Sequence, residues 1–211
     1  MIEQGALPSE AWHALPPLVL SASIVMGSPG PSTISVTAVG AAFGFRRSLG
    51  YVSGLVAGTT TVLLGIAAGV VALLQALPQV APVLVAASAA YILYLAFRIA
   101  TAPPLAEAGA NLSAPSFTGG FLLAVANPKA WFAITAVFTG TGVVDGAATL
   151  DAVVKTAVLT AMIVAIHIAW LLVGTSLARI LRSPVGARAV HVALATLLVV
   201  TTAVQVGLLS F

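Results

Sequence analysis

Six apolar runs, each near the roughly 20 residues a helix needs to cross a hydrocarbon core, take up most of this 211-residue chain. They fall at 15–42, 49–74, 80–100, 117–139, 152–177 and 190–209. In lipid every backbone N–H and C=O must find its partner inside the protein, and the helix is the open-ended structure that supplies one. Turn-forming or polar residues separate the runs: Arg46-Arg47, Pro78 and Pro82, Pro103-Pro104, Asp145-Gly146, and Ser183-Pro184. Charged residues are only 6% of the chain, against roughly 25% in a soluble domain, too few to coat a water-facing surface. The expectation is an all-α integral membrane protein of about six transmembrane helices, with the lipid bilayer as its solvent.

The few charges exclude some functions and orient the chain. Eight basic residues spread over 211 make no nucleic-acid footprint, which needs Lys and Arg on one face. Without cysteine there is no disulfide, thiolate metal site or thiol redox chemistry. Residues 1–13 hold Glu3 and Glu10 and no basic residue, so a cleaved signal peptide is not expected. The first, third and fifth connections carry Arg46, Arg47, Arg98, Arg179, Arg182 and Arg188. The opposite side carries Lys155 with Glu3, Glu10, Asp145 and Asp151. The positive-inside tendency puts the arginine loops in the cytoplasm and both termini outside. Three runs fall in residues 1–105 and three in 106–211. An odd number of spans per half makes the second half run upside down, the inverted-repeat plan of many secondary transporters.

Two runs are interrupted. The first contains Gly27-Ser28-Pro29-Gly30-Pro31 and the fourth Asn127-Pro128-Lys129. Proline removes a backbone donor and clashes with the preceding turn. Paired interruptions at corresponding places in two halves point to a binding site near the bilayer midplane. The helix that resumes after a break presents free N–H groups and a partial positive end, which suits a carboxylate. Ser32 and Thr33 add hydroxyls there, and Asn127 an amide. Pro29, Gly30, Pro31, Ser32, Thr33, Asn127, Pro128 and Lys129 are the candidate substrate-binding residues. The bland alternative is a pair of kinks that only shape helix packing.

Lys129 falls near the centre of its run, where a lysine costs roughly 2.5–3.5 kcal/mol on insertion scales. No Asp or Glu lies inside any of the six runs. Two partners stay open: a substrate carboxylate, or carbonyls freed by the broken first helix. His167, in the fifth run near Trp170, is the side chain at depth that titrates near neutral pH and is a candidate proton carrier. The alternative is a neutral histidine hydrogen-bonded between helices. Tyr91 and Tyr94 read either as a membrane-interface aromatic belt or as a gate or pore-lining pair. Small residues four apart, Gly40/Gly44, Gly54/Gly58 and Gly65/Gly69, allow close helix approach within one chain or in a homodimer.

The order and spacing of several motifs resemble the LysE/RhtB family of bacterial amino-acid exporters. The residues that carry the resemblance are Pro29-Gly30-Pro31, the glycine-spaced stretch through Gly40 and Gly44 to Arg46-Arg47, and Gly54 and Gly58. Tyr91-Ile92-Leu93-Tyr94-Leu95 with Arg98 and Asn127-Pro128-Lys129-Ala130-Trp131 complete it. The resemblance implies export of an amino acid or related small zwitterion across the bacterial inner membrane, driven by a proton or sodium gradient and without a cofactor. Many relatives carry an acidic residue directly after Pro-Gly-Pro; Ser32 stands there in this chain.

The alternatives are weaker on chemistry. A metal-ion exporter wants several carboxylates, or Cys and clustered His, and the runs offer one central histidine; no metal site is expected. A membrane enzyme needs a nucleophile and base within reach, for which only Ser32 and Lys129 offer themselves, so no enzymatic activity is expected. A scaffold leaves the midplane lysine and the paired breaks without purpose. No Gly-x-x-x-x-Gly-Lys-Ser/Thr run for ATP is present.

Overall fold

The computed structural model describes residues 9–69, 86, 90, 92–94, 96, 97, 100, 101, 115–177 and 184–209. Tyr91, Arg98, Arg179, Arg182 and the prolines at 78, 82, 103 and 104 lie outside these. Among the described residues the structure is helical throughout, with no strand. The elements are α1 (Ser9–Val25), α2 (Pro31–Ala67), α3 (Phe117–Ala126), α4 (Pro128–Gly140), α5 (Ala148–Ser176) and α6 (Pro184–Leu209). By length and composition α2 and α5 suffice to cross a membrane, and α3 with α4 suffice as a bent pair.

Helix α2 is not one rod. Gly44, at φ 76° and ψ 171°, leaves helical geometry in its middle. Tyr51 Oη donates to Ser35 Oγ at 3.0 Å and Ser48 Oγ to Val39 O at 3.1 Å. In a straight helix residues 35 and 51 stand about 24 Å apart, so the chain doubles back at Gly44. A residue with a Cβ resists this φ. The sequence boundary at Arg46-Arg47 therefore coincides with a real reversal. Residues 31–43 continue the first apolar run beyond a break at 26–30, and residues 45–67 form the second.

Residues 31–42 are buried on every face, so this short stretch is the central post of the molecule. Its composition suits the position, because small residues let neighbouring backbones close in. Thr37 Oγ1 and Ser35 Oγ donate to carbonyls of their own helix at 2.8 Å each, so no hydroxyl is stranded. Gly174 of α5 lies on the Thr37 carbonyl, and a Cβ there would stand 2.2 Å from it. Gly54 and Gly120 do the same between residues 45–67 and α3, against Phe117 O and Tyr51 O. Gly40, Gly54 and Gly58 thus pack helices within one chain; Gly44 is the reversal, with nothing near it.

Two apolar clusters result. One gathers Ile34, Val36, Val39, Tyr51, Leu55, Leu123 and Leu171 around the central post, with Ile92 and Ala96 against it. The other gathers Leu18, Leu63, Ile66, Ile134, Val137, Leu159 and Ile163 among α1, residues 45–67, α4 and α5.

Candidate functional site

The first break shows where each freed carbonyl goes, an accounting that apolar surroundings make compulsory. Helix α1 ends with the N–H groups of Met26 and Gly27 both bonded to Ala22 O. Ser28 Oγ donates to Val25 O at 2.9 Å. Trp170 Nε1, from α5, donates to Gly27 O at 3.0 Å. The Lys129 ammonium donates to Ser28 O and, at 3.3 Å, to Pro29 O. Gly30 is fully extended, and its N–H donates to Thr33 Oγ1 at 2.8 Å as α2 begins. A Cβ on Gly30 would stand 2.5 Å from Lys129 Cδ, so the lysine stem lies directly on the glycine backbone.

The second break is a single residue. Asn127 ends α3 and caps α4: its Oδ1 accepts from Lys129 N at 3.1 Å, with Pro128 at the first helical position. Helices α3 and α4 meet there at 61°. Trp131 Nε1 donates to Val125 O at 2.8 Å, satisfying a carbonyl of the last turn of α3.

The two breaks touch. Asn127 Nδ2 donates to Ser32 Oγ at 2.9 Å, and Lys129 crosses to the first break's carbonyls. A cavity of about 40 Å³, partly open to the outside, lies against this junction. Of the sequence-derived candidates it is lined by Gly30, Ser32, Thr33, Asn127, Lys129 and His167. Pro29, Pro31 and Pro128 shape the breaks without lining the cavity. Tyr94 is 52% exposed and away from it; Tyr91 lies outside the described residues. Met26, Thr59, Ala130, Ala133, Ile134, Ile163 and Ile166 complete the wall.

Of the two partners left open for Lys129, the carbonyls of the broken helix hold it here. Its ammonium sits against the backbone where α1 ends, the end at which a cation is favoured. His167 donates from Nδ1 to Ile163 O of its own helix at 2.7 Å, not to another helix. Thr59 is a wall residue that sequence reasoning missed, because it is one of three consecutive threonines in a run and only burial distinguishes it.

Lys155, expected on the side opposite the arginine loops together with Asp151, is buried. Its ammonium donates to Phe138 O at 2.7 Å and Thr141 O at 3.2 Å, and pairs with Asp151 at 2.7 Å. Asp151 accepts from the N–H groups of Val143 and Val144. The pair closes the carbonyl end of α4 onto the start of α5, away from the cavity.

Paired interrupted helices beside a cavity are the plan of many membrane transporters. The chain belongs to the LysE type translocator family, which it matches over residues 23–209. It is 34% identical over 191 residues to the cysteine/O-acetylserine efflux protein of Shigella flexneri, covering 87% of this chain and 95% of that protein. The protein of that name from Escherichia coli K12 is 34% identical over 175 residues, 82% of this chain and 87% of the relative. No solved structure matches the chain.

Proposed function

We propose that this translocator exports a small amino acid or amino-acid derivative across the bacterial inner membrane, by exchange for an ion running down its gradient. The single observation that carries the reading is the Asn127–Ser32 bond across two helix breaks beside one cavity. Carboxylate binding follows from the local chemistry. The N–H groups of Ser32 and Thr33 begin a helix and lack intrahelical partners, and Lys129 brings a positive charge to the same wall. The relatives named for cysteine and O-acetylserine efflux support a short, polar side chain on the substrate. Six spans in two inverted halves, 1–105 and 106–211, with the Arg46-Arg47 reversal cytoplasmic and the termini outside, would let the halves rock about the cavity.

The test is transport by purified protein in sealed vesicles loaded with O-acetyl-L-serine or L-cysteine, with an imposed proton or sodium gradient and no nucleotide. Gradient-dependent release is expected, and Lys129→Ala protein, inserted to the same level, is expected to show none. Release that needs ATP, or full release without Lys129, overturns the reading. Metabolite comparison of spent medium from cells with and without the protein checks substrate and direction together.

A further inference from the structure

Two buried polar atoms, in residues that line the cavity, have no role in the arrangement so far. His167 is 4% exposed and Thr59 6%. Neither His167 Nε2 nor Thr59 Oγ1 has a hydrogen-bond partner among the described residues. A buried polar atom left unpaired costs roughly 1–3 kcal/mol, and native proteins seldom keep one without a use. Here two of them belong to residues that line one cavity together with Lys129, each atom buried behind its wall.

Their chemistry is asymmetric. The group facing His167 Nδ1 is a carbonyl, Ile163 O at 2.7 Å, which can only accept. The proton therefore sits on Nδ1, and in the neutral ring Nε2 is a bare lone pair. The Thr59 hydroxyl rotates to accept or donate. Lys129 and the free N–H groups at the start of α2 supply donors, and the hydroxyl oxygens of Ser32 and Thr33 already accept from Asn127 and Gly30. A zwitterion needs both kinds of wall, donors for its carboxylate and acceptors for its ammonium.

We infer that His167 Nε2, seconded by Thr59 Oγ1, receives the α-ammonium of the substrate, and that the coupling proton competes for this same lone pair. The inference rests on the export reading above and deepens it by naming the coupling ion and the atom that couples it. One lone pair holds a proton or an ammonium N–H, never both. When a proton enters Nε2 the N–H···N bond breaks, two cations face each other, and the substrate leaves. When the next ammonium arrives, Nε2 must first release its proton, to the side from which substrate comes. One proton is thus exchanged for one substrate, with no second carrier. Among the described residues of α1, α2, α4 and α5 that line the cavity, Lys129 is the only other ionisable group. Its positive charge adds to the repulsion of a protonated His167 and does nothing to neutralise it.

The test is calorimetric binding to full-length protein in detergent between pH 5.5 and 7.5, with two probes. One is O-acetyl-L-serine; the other is 3-acetoxypropanoate, the same molecule without its amine. The variants are His167→Gln, which keeps an acceptor but does not titrate, and Thr59→Val. For wild type, O-acetyl-L-serine affinity is expected to fall by up to tenfold per pH unit on the acid side, with a proton released on binding there. His167→Gln is expected to flatten the profile. Thr59→Val is expected to weaken O-acetyl-L-serine about five- to tenfold, leaving 3-acetoxypropanoate within twofold. Parallel profiles for wild type and His167→Gln, or equal losses for both probes in Thr59→Val, overturn the ammonium assignment and leave the export reading standing. If His167→Gln does not fold, wild-type proton release and the two-probe response of Thr59→Val decide. No saturable binding of O-acetyl-L-serine, L-cysteine or any standard amino acid by wild type overturns both readings.

Discussion

The two helix breaks meet the same demand in different ways. The second is closed almost entirely from its own neighbourhood: Asn127 caps the helix that follows it, and Trp131, six residues on from Val125, covers a freed carbonyl. The first spans residues 26–30 and borrows its donors from far along the chain, Trp170 from α5 and Lys129 from α4. A break that satisfies itself keeps its shape whatever its surroundings do. A break held by groups on other helices changes when those helices move, or when a ligand draws a donor away. The first break is therefore the adjustable one, and in the proposed function Lys129, which touches its carbonyls and lines the cavity, is the group through which a bound anion would reach it.

Substitutions can break or sharpen this contrast. The largest effect is expected from Lys129→Met, which keeps the stem over Gly30 and removes the charge. Initial export rates in vesicles should fall at least about a hundredfold, about 2.7 kcal/mol of binding or barrier energy, while the protein stays monodisperse. Asn127→Ala should cost about 2 kcal/mol in unfolding free energy, about 1 from the lost cap and about 1 from the bond to Ser32. Asn127→Asp, which keeps the capping oxygen, should cost about half as much. A stability loss of equal size in the two variants would sink the view that Asn127 both caps and bridges.

Trp170→Phe and Trp131→Phe should each cost about 0.6–1.5 kcal/mol, the range of single hydrogen bonds in membrane and soluble proteins. The two should part company in export, with Trp170→Phe slowing it several-fold and Trp131→Phe leaving it within twofold. The smallest effect is the sharpest. In double-mutant cycles Lys129 and Trp170 should couple by 0.5 kcal/mol or more, whereas distant independent sites add to within about 0.3–0.5 kcal/mol. Lys129 and Trp131 should fall in the second group. Equal coupling at both breaks would erase the distinction between them.

Much of this architecture is legible residue by residue. Pro29, Pro31 and Pro128 announce the breaks because proline lacks the donor a helix needs, and both breaks lie where the sequence puts them. Asn127-Pro128 announces a helix start, since the cap and the first-turn proline are local preferences. The reversal between the first two runs is marked by polar residues, although Gly44, read from spacing as a packing glycine, is the residue that turns. Thr59 was hidden because its neighbours Thr60 and Thr61 are chemically the same. Charge counting gives Lys155 a side but cannot tell that its ammonium folds back onto Phe138 O.

What the sequence determines by itself is whatever depends on a few consecutive residues: apolar runs long enough to span lipid, the positions where a helix must stop, and the caps with which it restarts. Tertiary structure alone decided that Asn127 meets Ser32, 95 residues away, that Lys129 rests on carbonyls of the other break, and that His167 and Thr59 line one cavity. Helix periodicity and proline chemistry act over a turn or two. Which donor reaches which distant carbonyl depends on how close the backbones come, and that distance is set by glycines such as Gly54 and Gly174 lying on another helix's backbone.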